Sequence, residues 1–359
     1  MSPLRIAAHI SAAEWGGAER RSLALLAGLA ARGHRVIVYC NTPRIAAKAR
    51  EHGLEAVIGP LRGDVMLGHA LAFARHLRRQ RPDVLLLITF RRLLPGAIAG
   101  RIARVPRIIS RVGLASDVAR SAKYRFVLRR WIDDVVLNAE SLRAPFIASL
   151  PPGARARVHV IPNGVEPRHA AATRADARAQ VDVPADAFVI GSVARLVKQK
   201  RFDRLIEAVA QLDGVHAVIA GDGYMRDALA QLAQSLGVAD RIHFLGHRED
   251  IGTVHRMLDV YVVCSDQEGM SSGMLEAMAA ALPVVSTPVS GAAEALHGPP
   301  RCGLITAFEP HAVADAIRRL MHDPEARRTL GRAAAEVART RYSIAAMTDR
   351  WEALLQEPK

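Results

Sequence analysis

Residues 260–286 read VYVVCSDQEGMSSGMLEAMAAALPVVS, and the fold follows from how this run divides. Val260-Tyr261-Val262-Val263 is a short run of β-branched and aromatic residues, which predicts a strand. A polar Gly/Ser loop follows, then a helical stretch near Ser272–Ala281, then a second strand at Val284-Val285-Ser286. Strand, loop, helix and strand in that order make the unit of a parallel sheet. Ligands of open parallel sheets bind beyond the carboxyl ends of the strands. The loop from Asp266 to Gly273 therefore falls where chemistry is expected.

The same alternation extends toward the N-terminus. Phe188–Val193, Ala217–Ala220 and Ile242–Leu245 read as strands, with helices over Asp203–Leu212 and up to Leu236. Farther back, Leu4–Ile10, Arg35–Cys40, Asp83–Ile88, Arg107–Ser110 and Asp134–Leu137 are strands. Helices precede Gly33 and run from about Val65 to Arg81. Asp83–Ile88 is almost uniformly apolar past its first residue, as in strands covered on both faces. Around Ile161-Pro162-Asn163-Gly164-Val165 the chain turns, and residues 167–187 carry no sustained strand pattern. The expected division is a first domain over 1–168, a linker over 169–187 and a second domain over 188–340. A terminal helix over 341–359 completes it, within a tail helical from Ala312 to Leu355. The fold class is α/β, with two Rossmann-like parallel-sheet domains facing across a cleft.

The chain has 359 residues, 50% of them hydrophobic and 23% charged, a globular composition long enough for two domains. No run of eighteen apolar residues occurs, so no membrane-spanning helix is expected. Met1 to Ile10 reads as a strand and not as a leader peptide. Cys40, Cys264 and Cys302 are far apart with no C-x-x-C pair, which argues against a disulfide framework or a cysteine zinc site. The net charge is +14, and its distribution is uneven. Residues 1–170 hold 28 Lys+Arg and 11 Asp+Glu, a net of +17, whereas residues 171–359 hold 21 and 24, a net of −3. The densest basic part runs from Arg91 to Arg130. Such a field suits an anionic partner, and a solvated surface explains it equally well. Aromatic residues are only 4%, too few for a base-stacking platform.

Four loops lie where a ligand would sit. Gly16-Gly17 follows the first strand and opens a helix; a tight turn explains the pair as readily as a ligand loop. Arg195-Leu196-Val197-Lys198-Gln199-Lys200 follows the strand ending at Val193 and holds two of the chain's five lysines. A guanidinium fork and an ammonium there suit a diphosphate, and an exposed cationic turn is the alternative. Gly221-Asp222-Gly223 has Arg226 in place of the third glycine of a dinucleotide fingerprint, so a tight strand-to-helix turn fits it better. In the fourth loop, Glu268 precedes a Gly/Ser stretch, Met270-Ser271-Ser272-Gly273, and Glu276 lies a turn inside the helix. The stretch offers amides and hydroxyls to a phosphate, and the carboxylates suit sugar hydroxyls.

Together the strings WGGAER, IPNGV, ARLVKQKRFD, AGDG, HFLGHRED, EGMSSGMLEAMAAALPVVST and SGAAEAL resemble glycosyltransferase family four, the large retaining group with the GT-B fold. The resemblance spans most of the chain. Its most specific part is the pair Glu268 and Glu276, seven residues between them, followed by AMAAALPVV. It implies that Arg195, Lys200 and Glu268 are the catalytic group. Arg195 and Lys200 would hold the donor diphosphate and Glu268 the donor sugar. Glu276 would take the ribose, Met270, Ser271, Ser272 and Gly273 the sugar and phosphate, and Gly246 and His247 would lie near the base. Gly16 and Gly17 would let the first-domain loop approach the diphosphate, and the terminal helix would return to the first domain. One departure stands out. Where many members carry a histidine, Val105-Pro106-Arg107-Ile108-Ile109-Ser110-Arg111 has none. Arg111 suits a phosphate or an acceptor but not a general base, because it stays protonated. His9 is the substitute candidate, the alternative being a hydrogen-bonded strand-end histidine.

The implied reaction is retaining, with a UDP-sugar as the favoured donor and a glycan, glycolipid or lipopolysaccharide-type acceptor. No Asp-x-Asp occurs, so no metal and no cofactor beyond the substrate is expected. The expected place is the cytoplasm, the basic half suiting an anionic inner-membrane face, and no nucleic-acid partner is expected. A non-catalytic nucleotide-sugar-binding protein of the same fold is the alternative.

Overall fold

The computed structural model describes residues 2–12, 15–59, 67–88, 92–113, 122–168, 170 and 172–358. The chain forms two compact units, Met1–Gly164 with Ile344–Lys359, and Val165–Ser343. In the first, chain order runs β1 (Arg5–Ile10), α1 (Gly17–Ala31), β2 (Arg35–Cys40), α2 (Pro43–Glu51), β3 (Glu55–Ile58), α3 (Leu67–Gln80), β4 (Val84–Leu87), α4 (Leu93–Ile102), β5 (Arg107–Val112), α5 (Ala122–Arg130), β6 (Asp134–Leu137), α6 (Arg143–Ser149) and β7 (Arg157–Val160). These strands are parallel in the order β3-β2-β1-β4-β5-β6-β7. Alternation along β1 feeds two cores. Ala7 packs with Tyr39, Phe73 and Leu85, while Ile6, Ala8 and Ile10 pack with Leu26, Leu29 and Trp351. Val84–Leu87 is buried throughout.

The second unit runs α7 (Arg174–Ala179), β8 (Phe188–Val193), α8 (Phe202–Val209), β9 (Val215–Ala220), α9 (Arg226–Ser235), β10 (Ile242–Gly246), α10 (Ile251–Met257), β11 (Val260–Val263), α11 (Ser272–Ala279), β12 (Val284–Ser286), α12 (Ser290–Leu296), β13 (Gly303–Ile305), α13 (Pro310–His322) and α14 (Pro324–Arg341). Its parallel sheet has the order β10-β9-β8-β11-β12-β13. The order reverses between β8 and β11, so the loops after these two strands diverge from a topological switch point. The expected helical tail is three helices. Pro324 opens α14, with Asp323 capping Ala326 N at 2.8 Å, and α15 (Ile344–Gln356) belongs to the first unit.

The chain changes unit at Gly164–Val165, not within 169–187, and again at Ser343–Ile344, not at 340–341. The expected linker is built into the second unit because α7 carries Arg178, only 2% exposed. Its guanidinium donates to the carbonyls of Met257, Ala185 and Ala187 and pairs with Asp259 at 3.0 Å. Val165 N also donates to Tyr342 O at 2.7 Å, tying the two chain crossings together. Of the expected elements, Val65 and Met66 lie outside the described residues, as do Arg91 and Arg120 of the basic run and His169 at the expected boundary. The three cysteines are free and buried. No helix among the described residues is long and apolar enough to cross a membrane.

The returning α15 is anchored by charge as well as by packing. Asp134 is fully buried and meets Arg107 Nε at 2.6 Å, Arg157 Nε at 2.9 Å and His159 Nε2 at 2.9 Å. Arg107 in turn donates to Leu354 O at 2.7 Å. Burial works against the Asp134 carboxylate, but the hydrogen bonds from His159, Arg107 and Arg157 hold its pKa well below the usual carboxylate range. A pKa depressed by folding stabilises the fold above the unfolded value, about 4, and that stabilisation fades as pH falls through the folded value. Asp134→Ala should therefore lose about 3–5 kcal/mol at neutral pH, because two guanidinium groups lose their buried partner. Urea unfolding followed from pH 7 to pH 3 should show this gap narrowing only at the acid end.

Candidate active site

Two glycines shape the carboxyl end of β8. Gly221, at φ +140, lies so close to the preceding loop that a Cβ there would sit 1.9 Å from Ala194 O. A Cβ on Gly273 would sit 2.6 Å from Val193 O and 2.1 Å from the Tyr261 hydroxyl. Only glycine admits these approaches. Backbone bonds complete the lacing, from Ala194 N to Ala220 O at 3.0 Å and from Leu196 N to Asp222 O at 2.8 Å. Tyr261 braces the strand end from below, its hydroxyl accepting from Val193 N at 3.0 Å and donating to Val193 O at 3.2 Å. Burial raises its phenol pKa, so it remains a neutral donor.

A pocket at this end is lined by Ser192, Lys200, Tyr261, Ser265, Glu268 and Ser271, among others. Within it Lys200 Nζ lies 2.7 Å from Glu268 Oε1, and Ser265 Oγ donates to the same oxygen at 2.5 Å. Glu268 is 9% exposed. A carboxylate this deep is tolerated because a cation and a hydroxyl both meet it. Ser271 is the N-cap of α11, in extended conformation and with no side-chain capping bond. The first amides of α11 therefore lack intrahelical partners and face the end of the helix that favours an anion.

The other expected donor residues sit around this centre. Arg195 is exposed, in the turn that Ala194 and Leu196 fix, and forms no side-chain hydrogen bond or ion pair among the described residues. Glu276 lies one turn into α11, its side chain 12% exposed, with Arg168 Nε at 3.7 Å. Met270 is buried and Ser272 opens α11. Gly246 ends β10 at φ +66, its carbonyl accepting from Gly221 N at 2.7 Å, and His247 beyond it is exposed. The structure thus gathers Lys200, Glu268 and Ser271 in one pocket. It leaves Arg195, Glu276 and His247 outside that lining.

Sequence reasoning missed Ser265, Tyr261 and Arg168. Ser265 lies two residues past the end of β11 and three before Glu268, a spacing that could have flagged it. Tyr261 carries no local signal, because its role depends on β8 lying beside β11.

In the first unit, α1 begins at Gly17 with Gly16 as N-cap, at φ −153, an ordinary extended backbone. Nothing in that conformation requires a glycine at Gly16. His9 is 2% exposed; Asn41 hydrogen-bonds its ring, while its Nε2 meets no partner among the described residues. Burial, then the nearby Arg92, lowers its pKa to about 3 against the Asn41 hydrogen bond. Neutral imidazole is therefore its form at physiological pH. Arg111 donates to Ser22 Oγ at 3.3 Å and to Asn163 Oδ1. Burial and the neighbouring Arg21 lower its pKa to about 10, with Glu19 opposing, so it stays cationic at neutral pH between two neutral partners. Ser110 Oγ and Asn138 Oδ1 are also buried without partners. Unsatisfied buried polar atoms are costly, and here they gather toward the carboxyl ends of β1, β5 and β6. No group of three or more His, Cys, Asp or Glu among the described residues is arranged to hold a metal.

Two family models match the chain. One, glycosyl transferases group 1, covers residues 173–337, and the other, glycosyltransferase family 4, covers residues 15–169. The lipopolysaccharide core biosynthesis glycosyltransferase LpsE of Rhizobium meliloti is 30% identical over 362 residues, spanning 97% of this chain and 98% of that protein. LpsD of the same organism is 29% identical over 346 residues, spanning 95% of each. Among solved structures, HepE of Anabaena in complex with UDP and glucose superposes with a TM-score of 0.86 at 23% identity, covering 99% of this chain and all of that one. Two parallel-sheet units of this topology, the Lys200–Glu268 pocket between the loops of β8 and β11, and full-length likeness to LpsE place the chain among the family-four, group 1 glycosyltransferases of GT-B fold.

Proposed function

We propose that the protein is a retaining, metal-independent transferase that moves a sugar from a UDP-sugar to a lipopolysaccharide- or exopolysaccharide-type acceptor. The observation that carries this reading is the pairing of Lys200 with Glu268 beside the free N-terminus of α11. The lipopolysaccharide-core role of LpsE and LpsD supports the acceptor class, and UDP in the HepE structure supports the donor base. As the sugar–phosphate bond breaks, negative charge builds on the β-phosphate. Lys200, the Arg195 guanidinium and the α11 amides stabilise it where it forms, with no reorganisation at the moment of reaction. On donor binding Lys200 exchanges Glu268 for the diphosphate, which frees the Glu268 carboxylate to accept from donor-sugar hydroxyls. Glu276 accepts from the ribose hydroxyls.

The acceptor side falls to the first unit, where His9 Nε2, Ser110 and Asn138 offer unsatisfied polar atoms and Arg111 an anion site. Neither Arg111 nor a histidine with pKa about 3 is a competent base at pH 7. The departing β-phosphate therefore takes the acceptor's proton, on the face the donor leaves from, which keeps the anomeric configuration. Arg125, Phe126, Arg129 and Arg130 of α5 are exposed, Phe126 by 52%, and Ile147 of α6 by 50%. These arginines have no carboxylate partner among the described residues. Apolar side chains beside unpaired cations suit the anionic cytoplasmic face of a membrane, where a lipid-linked acceptor would be met.

Release of free nucleoside diphosphate from a panel of UDP-, GDP- and ADP-sugars tests the reading. One UDP-sugar should be turned over equally with and without EDTA, and Lys200→Ala should lower kcat by about 10²–10³-fold. Inverted product stereochemistry by NMR would remove the retaining assignment. Thermal stabilisation by UDP without turnover, acceptor extracts present, would favour the non-catalytic alternative.

Membrane docking is checked by co-sedimentation with vesicles. Phosphatidylglycerol vesicles should bind the protein at about 50 mM salt and release it at about 500 mM, and Phe126→Asp should weaken binding several-fold. Binding that ignores lipid charge would exclude this mode.

A further inference from the structure

The two loops that diverge from the β8–β11 switch point are laced together by a network that touches neither Lys200 nor Glu268. Asp266 N donates to Gln199 O at 3.0 Å, and Gln199 Nε2 donates to Gln267 O at 2.6 Å. The Asp266 carboxylate accepts from Arg201 Nη1 at 3.1 and 3.2 Å and from Arg204 Nη2 at 3.0 Å. Arg204, 4% exposed, also donates to the carbonyl of Cys264. Lys200 lies between Gln199 and Arg201, and Glu268 lies two residues past Asp266. Both functional groups therefore hang on a segment stitched at its neighbours.

The turn beneath Lys200 is strained. Arg201 adopts φ 50, ψ 48, the left-handed region that costs a residue with a Cβ. It ends the 3-10 turn Lys198–Lys200 and begins α8. A strained non-glycine residue persists where its surroundings over-determine it. Here the surroundings are the two carboxylates of Asp203, at 2.9 Å, and Asp266.

We propose that Asp266 is a positioning residue, which clamps Arg201 and Arg204 so that the backbone segments carrying Lys200 and Glu268 are held at one fixed spacing for the donor's diphosphate and sugar. Asp266 does not touch the donor. The inference rests on the donor-site reading above. Its consequence is that Lys200 swings from Glu268 to the phosphate from a backbone already held in place.

Two substitutions separate clamping from folding. Arg201→Gly removes one leg of the clamp yet suits the left-handed turn, so Tm should be unchanged or higher. Asp266→Asn keeps the shape and removes the charge. With the UDP-sugar that the wild type turns over, kcat should fall about 10-fold or more in Asp266→Asn and several-fold in Arg201→Gly, KM changing by less than about threefold, and Asp266→Glu should recover part of the loss. Wild-type kcat in both variants, or a loss that tracks Tm, would overturn the clamp. UDP affinity by calorimetry supplies a readout that needs no turnover. Lys200→Ala should weaken UDP binding in the wild-type background and weaken it several-fold less in the Asp266→Asn background. An equal loss in both overturns the clamp even where transfer is observed. Coupling in a chain that releases no UDP from any donor upholds the clamp and overturns the transferase reading. A wild-type chain that binds no UDP overturns both.

Discussion

Two backbones must touch at the end of β8, and the second unit is arranged to let them. Gly221 presses on Ala194 from the β9 side and Gly273 presses on Val193 from α11. Side chains at either position would force the loops apart and open the distance between the Arg195 turn and the α11 N-terminus. Because β8 and β11 are adjacent at the reversal of strand order, both loops start from the same place and can converge on one ligand. The glycines do not bind that ligand. They bring amides and side chains that would bind it within reach of one another.

Charge then decides what sort of ligand fits. A cation and a carboxylate 2.7 Å apart in a pocket are costly to desolvate unless each is satisfied. Ser265 satisfies part of the carboxylate, and the unpaired amides of α11 favour a second anion nearby. On the proposed reading, Lys200 leaves Glu268 for the donor's diphosphate and Ser265 stays with the carboxylate. The first unit is built on the opposite principle. Among the described residues Arg111 hydrogen-bonds the neutral Ser22 and Asn163, and His9 Nε2 meets no partner.

The sequence made the strands of both sheets legible where apolar runs were long, as at Val84–Leu87 and Phe188–Val193. Short edge strands such as β3, β7 and β13 escaped it, because three or four residues with one covered face leave too weak a pattern. The boundary was misplaced for a different reason. Residues 167–187 look like a linker by composition, yet Arg178 ties them to Met257 and Asp259, some eighty positions away. The residues expected at the donor site could be picked out because charged and Gly/Ser runs follow the strands, and the structure brings Lys200, Glu268 and Ser271 of them into one pocket. The network around Asp266 was not legible, because the bonds that join its two loops span sixty residues or more. An acidic residue in a polar loop has no local feature that marks it as a clamp.

The uneven charge of the first half takes on a different meaning once its partners are seen. Three basic residues on or beside α1 and α2 are paired, Arg32 with Asp349 and Glu352 of α15, Arg35 with Glu55, Lys48 with Glu51. Those pairs hold the returning helix and its surroundings in place, and they contribute little net field. The arginines of α5 have no such partners among the described residues and stand beside exposed Phe126. A surface that merely needed solubility would spread its charge and bury its aromatics. On the proposed membrane reading, one short helix that keeps both together offers the phenyl ring and the guanidinium groups to an anionic surface at once.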